Sequence, residues 1–117
     1  MKDKRNLVLE KSYAFALRIV RLYKYLTEEK REYVMSKKLL NAGTEVGARV
    51  KAAQEAEVGG GFAREMRTAL QKCSETQFWL NLLHDSDYLD DPKFKSIYDD
   101  SVELWRMLTS IVTKVGG

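Results

Sequence analysis

A single cysteine, a single histidine and a single proline occur in the 117 residues, and each scarcity closes off a class of protein. One thiol, Cys73, cannot form an intrachain disulfide and suits a reducing compartment. With only His84 beside it, the chain cannot assemble a structural zinc site. A bundle di-iron centre needs two Glu-x-x-His pairs, and Asn81 stands where the glutamate before His84 would be. Cys73 and His84 are separated by about 16 Å of helical rise, too far to share a proton within one chain. No metal, no cofactor and no small-molecule substrate is therefore expected. No apolar run approaches the roughly 20 residues that cross a bilayer. The start, Met1-Lys2-Asp3-Lys4-Arg5, leads into no signal-like apolar core, so a cytoplasmic protein without membrane contact is expected.

Helix breakers are equally sparse. Apart from Pro92, they are glycines at 43 and 47, at 59 to 61 and at the end of the chain, and the long stretches between favour long helices. The spacing predicts a first helix over about 7–26. Phe15, Ile19, Leu22 and Leu26 form one stripe, and Leu9, Tyr13, Ala16, Val20 and Tyr23 form a second beside it. One stripe can face a core while the other meets a neighbouring helix or another subunit. Thr27 is the candidate cap of a second helix over about 32–57, where Met35, Leu39, Ala42, Val46, Val50 and Ala53 recur at helical spacing. Gly43 and Gly47 sit beside that stripe. Each costs about 1 kcal/mol against alanine in a helix, so a close helix contact is the reading preferred over two merely tolerated glycines.

Gly59-Gly60-Gly61 reads as a turn into a third helix over about 62–84, with Phe62, Met66, Ala69, Leu70, Cys73, Leu80 and Leu83 on one face. Phe78, Trp79 and Leu82 project from a different face. With Tyr13 they are the candidate oligomer interface, since large apolar patches and tryptophan mark contact surfaces. A polar connection, Asp85 to Pro92, leads to a fourth helix over about 92–115, with Asp91 as its cap and Pro92 as its first residue. Phe94, Ile97, Leu104, Trp105, Leu108, Ile111, Val112 and Val115 are assigned to its core face. Short connections place consecutive helices antiparallel, which gives an all-α, up-down-up-down four-helix bundle in a single domain.

Charge is unevenly spread. Residues 1–83 carry 16 Lys/Arg against 10 Asp/Glu, whereas residues 84–117 carry 4 against 7. Arg18, Arg21, Lys24, Lys37, Lys38, Arg49 and Lys51 are the candidate nucleic-acid surface, because phosphate contacts require cations on one accessible face. A solvated surface with interleaved acids is the other reading. The carboxylates Asp90/Asp91 and Asp99/Asp100 lack the calcium-loop pattern, and the glycine run is followed by no Gly-Lys-Ser/Thr. With no assembled acid, base, nucleophile and stabiliser, the chain reads as a non-enzyme.

Two segments carry a resemblance. Met35 to Val50, with Asn41-Ala42-Gly43-Thr44-Glu45-Val46-Gly47-Ala48-Arg49 at its centre, is similar to the second-helix signature of the bacterial four-helix bundle proteins first noticed in 23S rRNA intervening sequences. Phe62 to Leu83, especially Ala69 to Leu83 with Glu75-Thr76-Gln77-Phe78-Trp79-Leu80, resembles the same family's alanine-rich, Glu-Thr, aromatic-Trp-Leu, Leu-Leu stretch. The chain departs from the family pattern at Arg49, usually Asn, at Lys51-Ala52, and at Val58-Gly59-Gly60-Gly61. The resemblance implies a bundle that assembles into a homo-pentameric ring of mostly unknown function. A family relative, the accessory protein of diversity-generating retroelements, implies nucleic acid or a reverse transcriptase as partner. The expected role is an oligomeric binding module contacting nucleic acid or a nucleic-acid enzyme, the alternative being a protein–protein adaptor with no nucleic-acid contact.

Overall fold

Stretches of 21 to 26 residues, with breakers only at their first turn or last residue except for Gly43 and Gly47, become four helices in the computed structural model, which describes residues 4–56 and 60–116. They are α1 (Lys4–Glu28), α2 (Met35–Glu55), α3 (Gly60–Asp85) and α4 (Asp91–Gly116), with no strand among the described residues. Each helix packs on its chain neighbours and α1 also meets α4, while the backbones of the diagonal pairs α1/α3 and α2/α4 stay apart. Pairing runs in opposite directions along neighbours. Ile19 meets Gly43 while the earlier Ser12 meets the later Gly47, and Lys11 reaches Glu103 while Arg18 reaches Asp100. The result is an antiparallel four-helix bundle.

The core is built by the stripes that periodicity marks. Phe15, Ile19 and Leu26 of α1 close on Leu39, Val46 and Val50 of α2, on Met66, Cys73, Leu80 and Leu83 of α3, and on Ile97, Leu104 and Leu108 of α4. The second stripe of α1 is mostly half-buried; Tyr13 alone of it is exposed. On α4 the apolar positions span too wide an arc for one face. Trp105 is a residue beyond buried Leu104, a step of about 100° around the axis, and it is exposed, as is Val115. Both fall outside the expected core face.

Three junctions differ from the sequence expectation. Thr27 does not cap α2: its hydroxyl donates backward to the Tyr23 and Lys24 carbonyls inside α1, which runs on to Glu28. The chain instead reverses at Arg31, φ 55°, and the buried Glu32 carboxylate accepts the N–H groups of Val34, Met35 and Ser36 at 3.1, 3.0 and 2.7 Å. Those are orphan donors of a helix start, so α2 begins at Met35 rather than 32. At the next junction α2 stops at Glu55, and Gly60 and Gly61 belong to the first turn of α3 instead of a turn; Gly59 lies outside the described residues. A Cβ on Gly61 would come within 3.2 Å of the Ala56 Cβ, so glycine lets the chain fold back closely there. At the third, Asp90 is the cap, accepting the Lys93 N–H at 2.9 Å, and Asp91 is already helical. The polar connection also buries Leu89 in the core.

Candidate binding surfaces

Gly43 and Gly47 let α1 and α2 approach. A Cβ on Gly43 would stand 2.7 and 2.9 Å from the two γ-carbons of Ile19, and one on Gly47 would stand 3.3 Å from the Ser12 carbonyl oxygen. Ile19 is buried and β-branched, so it has little room to give.

Groups with chemical potential are mostly committed elsewhere. Cys73 is buried, and desolvation pushes its thiol up to about 12, which leaves it un-ionised and inert at neutral pH. Its Sγ lies 3.5 Å from the Ser101 carbonyl on α4. His84 ends α3 and ties it to α4, with Nε2 2.6 Å from Asp91, Nδ1 3.1 Å from Asp85, and the ring stacked on Phe94 at 4.3 Å. The Asp91 hydrogen bond is the main cause that raises the His84 pKa, and desolvation opposes it only in part. Among the described residues no three His, Cys, Asp or Glu side chains gather closely enough to hold a metal ion, and no helix is long and apolar enough to cross a membrane.

The candidate interface residues separate into three situations. Phe78 (57% exposed) and Leu82 (38%) face away from the bundle on α3. Trp79 does not stand with them; it is half-buried against the core, meeting Phe78 edge-on at 5.0 Å. Tyr13, 67% exposed, lies on α1, the helix diagonal to α3. Leu17, 40% exposed, is one turn further along α1 on the same outward side. It belongs to neither apolar stripe, and a large apolar residue off both stripes is the signal that marks it.

The candidate basic surface is thinned by pairing. Arg18 contacts Asp100 at 2.6 Å and also Ser96, Arg49 contacts Glu65 at 3.0 Å, and Lys51 contacts Glu55 at 2.7 Å. Arg49 is half-buried, and its Nε makes no hydrogen bond. Arg21, Lys24, Lys37 and Lys38 make no ion pair among the described residues. Lys24 precedes and Lys37 and Lys38 follow the α1–α2 connection, which itself carries Lys30 and Arg31, so cations collect at that end of the bundle, with Lys30 near enough to act on Asp90.

Comparison with known proteins places this geometry. The family model for 23S rRNA-intervening sequence proteins matches residues 4–110. A crystal structure of a protein of unknown function from the S23 ribosomal protein family of Bacteroides thetaiotaomicron is similar at 40% identity and a TM-score of 0.93, covering 95% of this chain and 99% of that one. No curated protein matches.

Proposed function

This chain belongs to the 23S rRNA-intervening sequence protein family, and from that premise we propose that it is a non-enzymatic module that assembles with copies of itself and presents the assembled surface to a macromolecular partner. Membership brings no activity with it, since the similar Bacteroides protein is of unknown function. One observation carries the reading. Exposed apolar side chains also include Leu7, Tyr33, Val34, Trp105 and Val115, but Tyr13 with Leu17 on α1 and Phe78 with Leu82 on α3 each stand one helical turn apart, and those two helices are diagonal in the bundle. Outward faces of diagonal helices look in opposite directions. A head-to-tail contact that buries one patch against the other repeats from copy to copy and closes into a ring when the rotation allows. Five copies is the number the family resemblance implies.

Light scattering on the purified protein tests the reading. We expect a closed oligomer for the unaltered chain and a smaller species for Phe78→Asp. A monomeric unaltered chain removes the proposal. Trp79→Ala is a poor probe, because Trp79 packs on the core and its truncation unfolds as much as it dissociates.

Nucleic acid as the partner is a second reading, favoured by Lys24, Lys30, Arg31, Lys37 and Lys38 around the α1–α2 connection, of which Lys30 also feels the Asp90 carboxylate. It predicts binding that weakens steeply with salt. A polypeptide partner retained after nuclease treatment would favour the adaptor reading instead.

A further inference from the structure

The seam between α1 and α4 is the most open in the bundle, bridged by polar side chains. Towards the end that carries the α1–α2 connection it widens into a groove of about 280 Å³ lined by Arg18, Arg21, Leu22, Tyr25, Lys93 and Ile97. Three cations meet there, and no acidic residue lines the groove. The larger groove between α2 and α3 contains Glu45 and Glu75, and the cleft further along the α1–α4 seam contains Asp100 and Glu103. This groove therefore differs from those two in the sign of its lining.

Its cations are held in different ways. Arg18 donates from Nη1 to Asp100 at 2.6 Å and to the Ser96 carbonyl at 3.2 Å, and from Nη2 to the Ser96 hydroxyl at 2.9 Å. These three bonds fix the guanidinium and leave two of its five N–H groups unused. Lys93 is steadied by Asp90 at 3.3 Å and lies 5.1 Å from the centre of the Tyr25 ring. Arg21 makes no ion pair among the described residues. Leu22 and Ile97 supply an apolar floor, and Ile97 is buried. A pre-set guanidinium, a second one without a partner, and an ammonium over an aromatic ring form a cradle for a compact dianion, since arginine matches phosphate oxygens two at a time.

We propose that the α1–α4 groove binds a small phosphomonoester, a sugar phosphate or a nucleoside monophosphate, with its phosphate between Arg18, Arg21 and Lys93 and its organic part on Leu22, Tyr25 and Ile97. The volume admits one such unit. Arg21 stands one turn beyond Leu17 of the α1 patch, so titration of Phe78→Asp, which leaves α1 unaltered, separates binding in this groove from self-association.

Titration of the full chain at low salt, followed by backbone amide shifts, tests this with ribose 5-phosphate, AMP, ribose, adenosine and inorganic phosphate. The expected result is saturable shifts at residues 18–25 and 93–97 with either phosphomonoester, and at least about tenfold weaker binding of ribose and adenosine, the scale of a lost charge-assisted contact. AMP binding tighter than ribose 5-phosphate identifies a nucleotide as the source of the phosphate, and equal affinity identifies the sugar phosphate as sufficient; both support the site. Arg21→Gln is expected to weaken binding about tenfold, Arg21→Lys less, and the distant Lys114→Gln not at all. The proposal is overturned if neither phosphomonoester saturates by about 10 mM, a bound below which binding ceases to be specific. It is equally overturned if inorganic phosphate binds as well as both esters, or if Arg21→Gln binds unchanged.

Discussion

Gly43 is where a local cost and a tertiary gain can be weighed directly. Alanine there would gain about 1 kcal/mol of helix propensity. Its Cβ would also overlap both γ-carbons of buried Ile19, and overpacking of that kind costs about 1–3 kcal/mol. The balance predicts that Gly43→Ala lowers stability by about 1 kcal/mol in urea unfolding, whereas a solvent-facing glycine would show a gain. The glycine pair was legible as a four-residue spacing in the sequence, but the identity of its partners was not, because nothing local to α2 names Ile19 and Ser12. Glu32 was illegible for another reason: its capping role depends on the left-handed Arg31, which aims the carboxylate at three N–H groups. Burial alone would raise its pKa, and the backbone hydrogen bonds from Met35, Ser36 and Val34 outweigh it and lower the value. A depressed carboxyl pKa stabilises the fold fully above its unfolded value near 4.5, and the benefit fades as pH falls through the folded value. Glu32→Gln is thus expected to lose stability near neutral pH by about 1 kcal/mol, the scale of a lost cap, and to show a shallower fall between pH 5 and 2 in acid titrations followed by circular dichroism.

At the scale of elements, the joint between α3 and α4 carries a titratable contact, His84 with Asp91. His84 was visible in the sequence as a helix-end histidine, and the structure adds Asp91 and the Phe94 ring as its partners on the next helix. Those contacts cross a connection, so helical periodicity could not reveal them. The same crossing explains why Asp91 looked like the cap: an Asp-Pro pair suits that role, but Asp90 holds it while Asp91 serves the histidine. A histidine pKa raised in the fold contributes stability fully below its ordinary value near 6.5 and loses it as pH rises through the higher folded value. Amide exchange in the first turns of α4, corrected for its intrinsic pH dependence, should accelerate over that rise. His84→Gln should flatten the pH response and leave the rest of the bundle unchanged. A response of equal size in the variant would assign the effect to another group.

For the whole molecule, the bundle was readable because four buried stripes repeat at helical period and the connections are too short for anything but antiparallel neighbours. Its outer surface was less so. Helical spacing put Phe78, Trp79 and Leu82 on one face and residue type added Tyr13, while packing turns Trp79 inward and sets Tyr13 and Phe78 on diagonal helices. Likewise, a count of cations cannot show that Arg18, Arg49 and Lys51 are spent on Asp100, Glu65 and Glu55. The bundle carries apolar patches on the outward sides of α1 and α3, and the proposed assembly joins them head to tail. Mixing two variants tests it most directly: Leu17→Asp, which spoils the α1 patch, and Phe78→Asp, which spoils the α3 patch. Each alone should be monomeric by light scattering, and an equimolar mixture should form a one-to-one dimer through the one interface still intact. A mixture that stays monomeric, or either variant that still forms the full assembly, would contradict it.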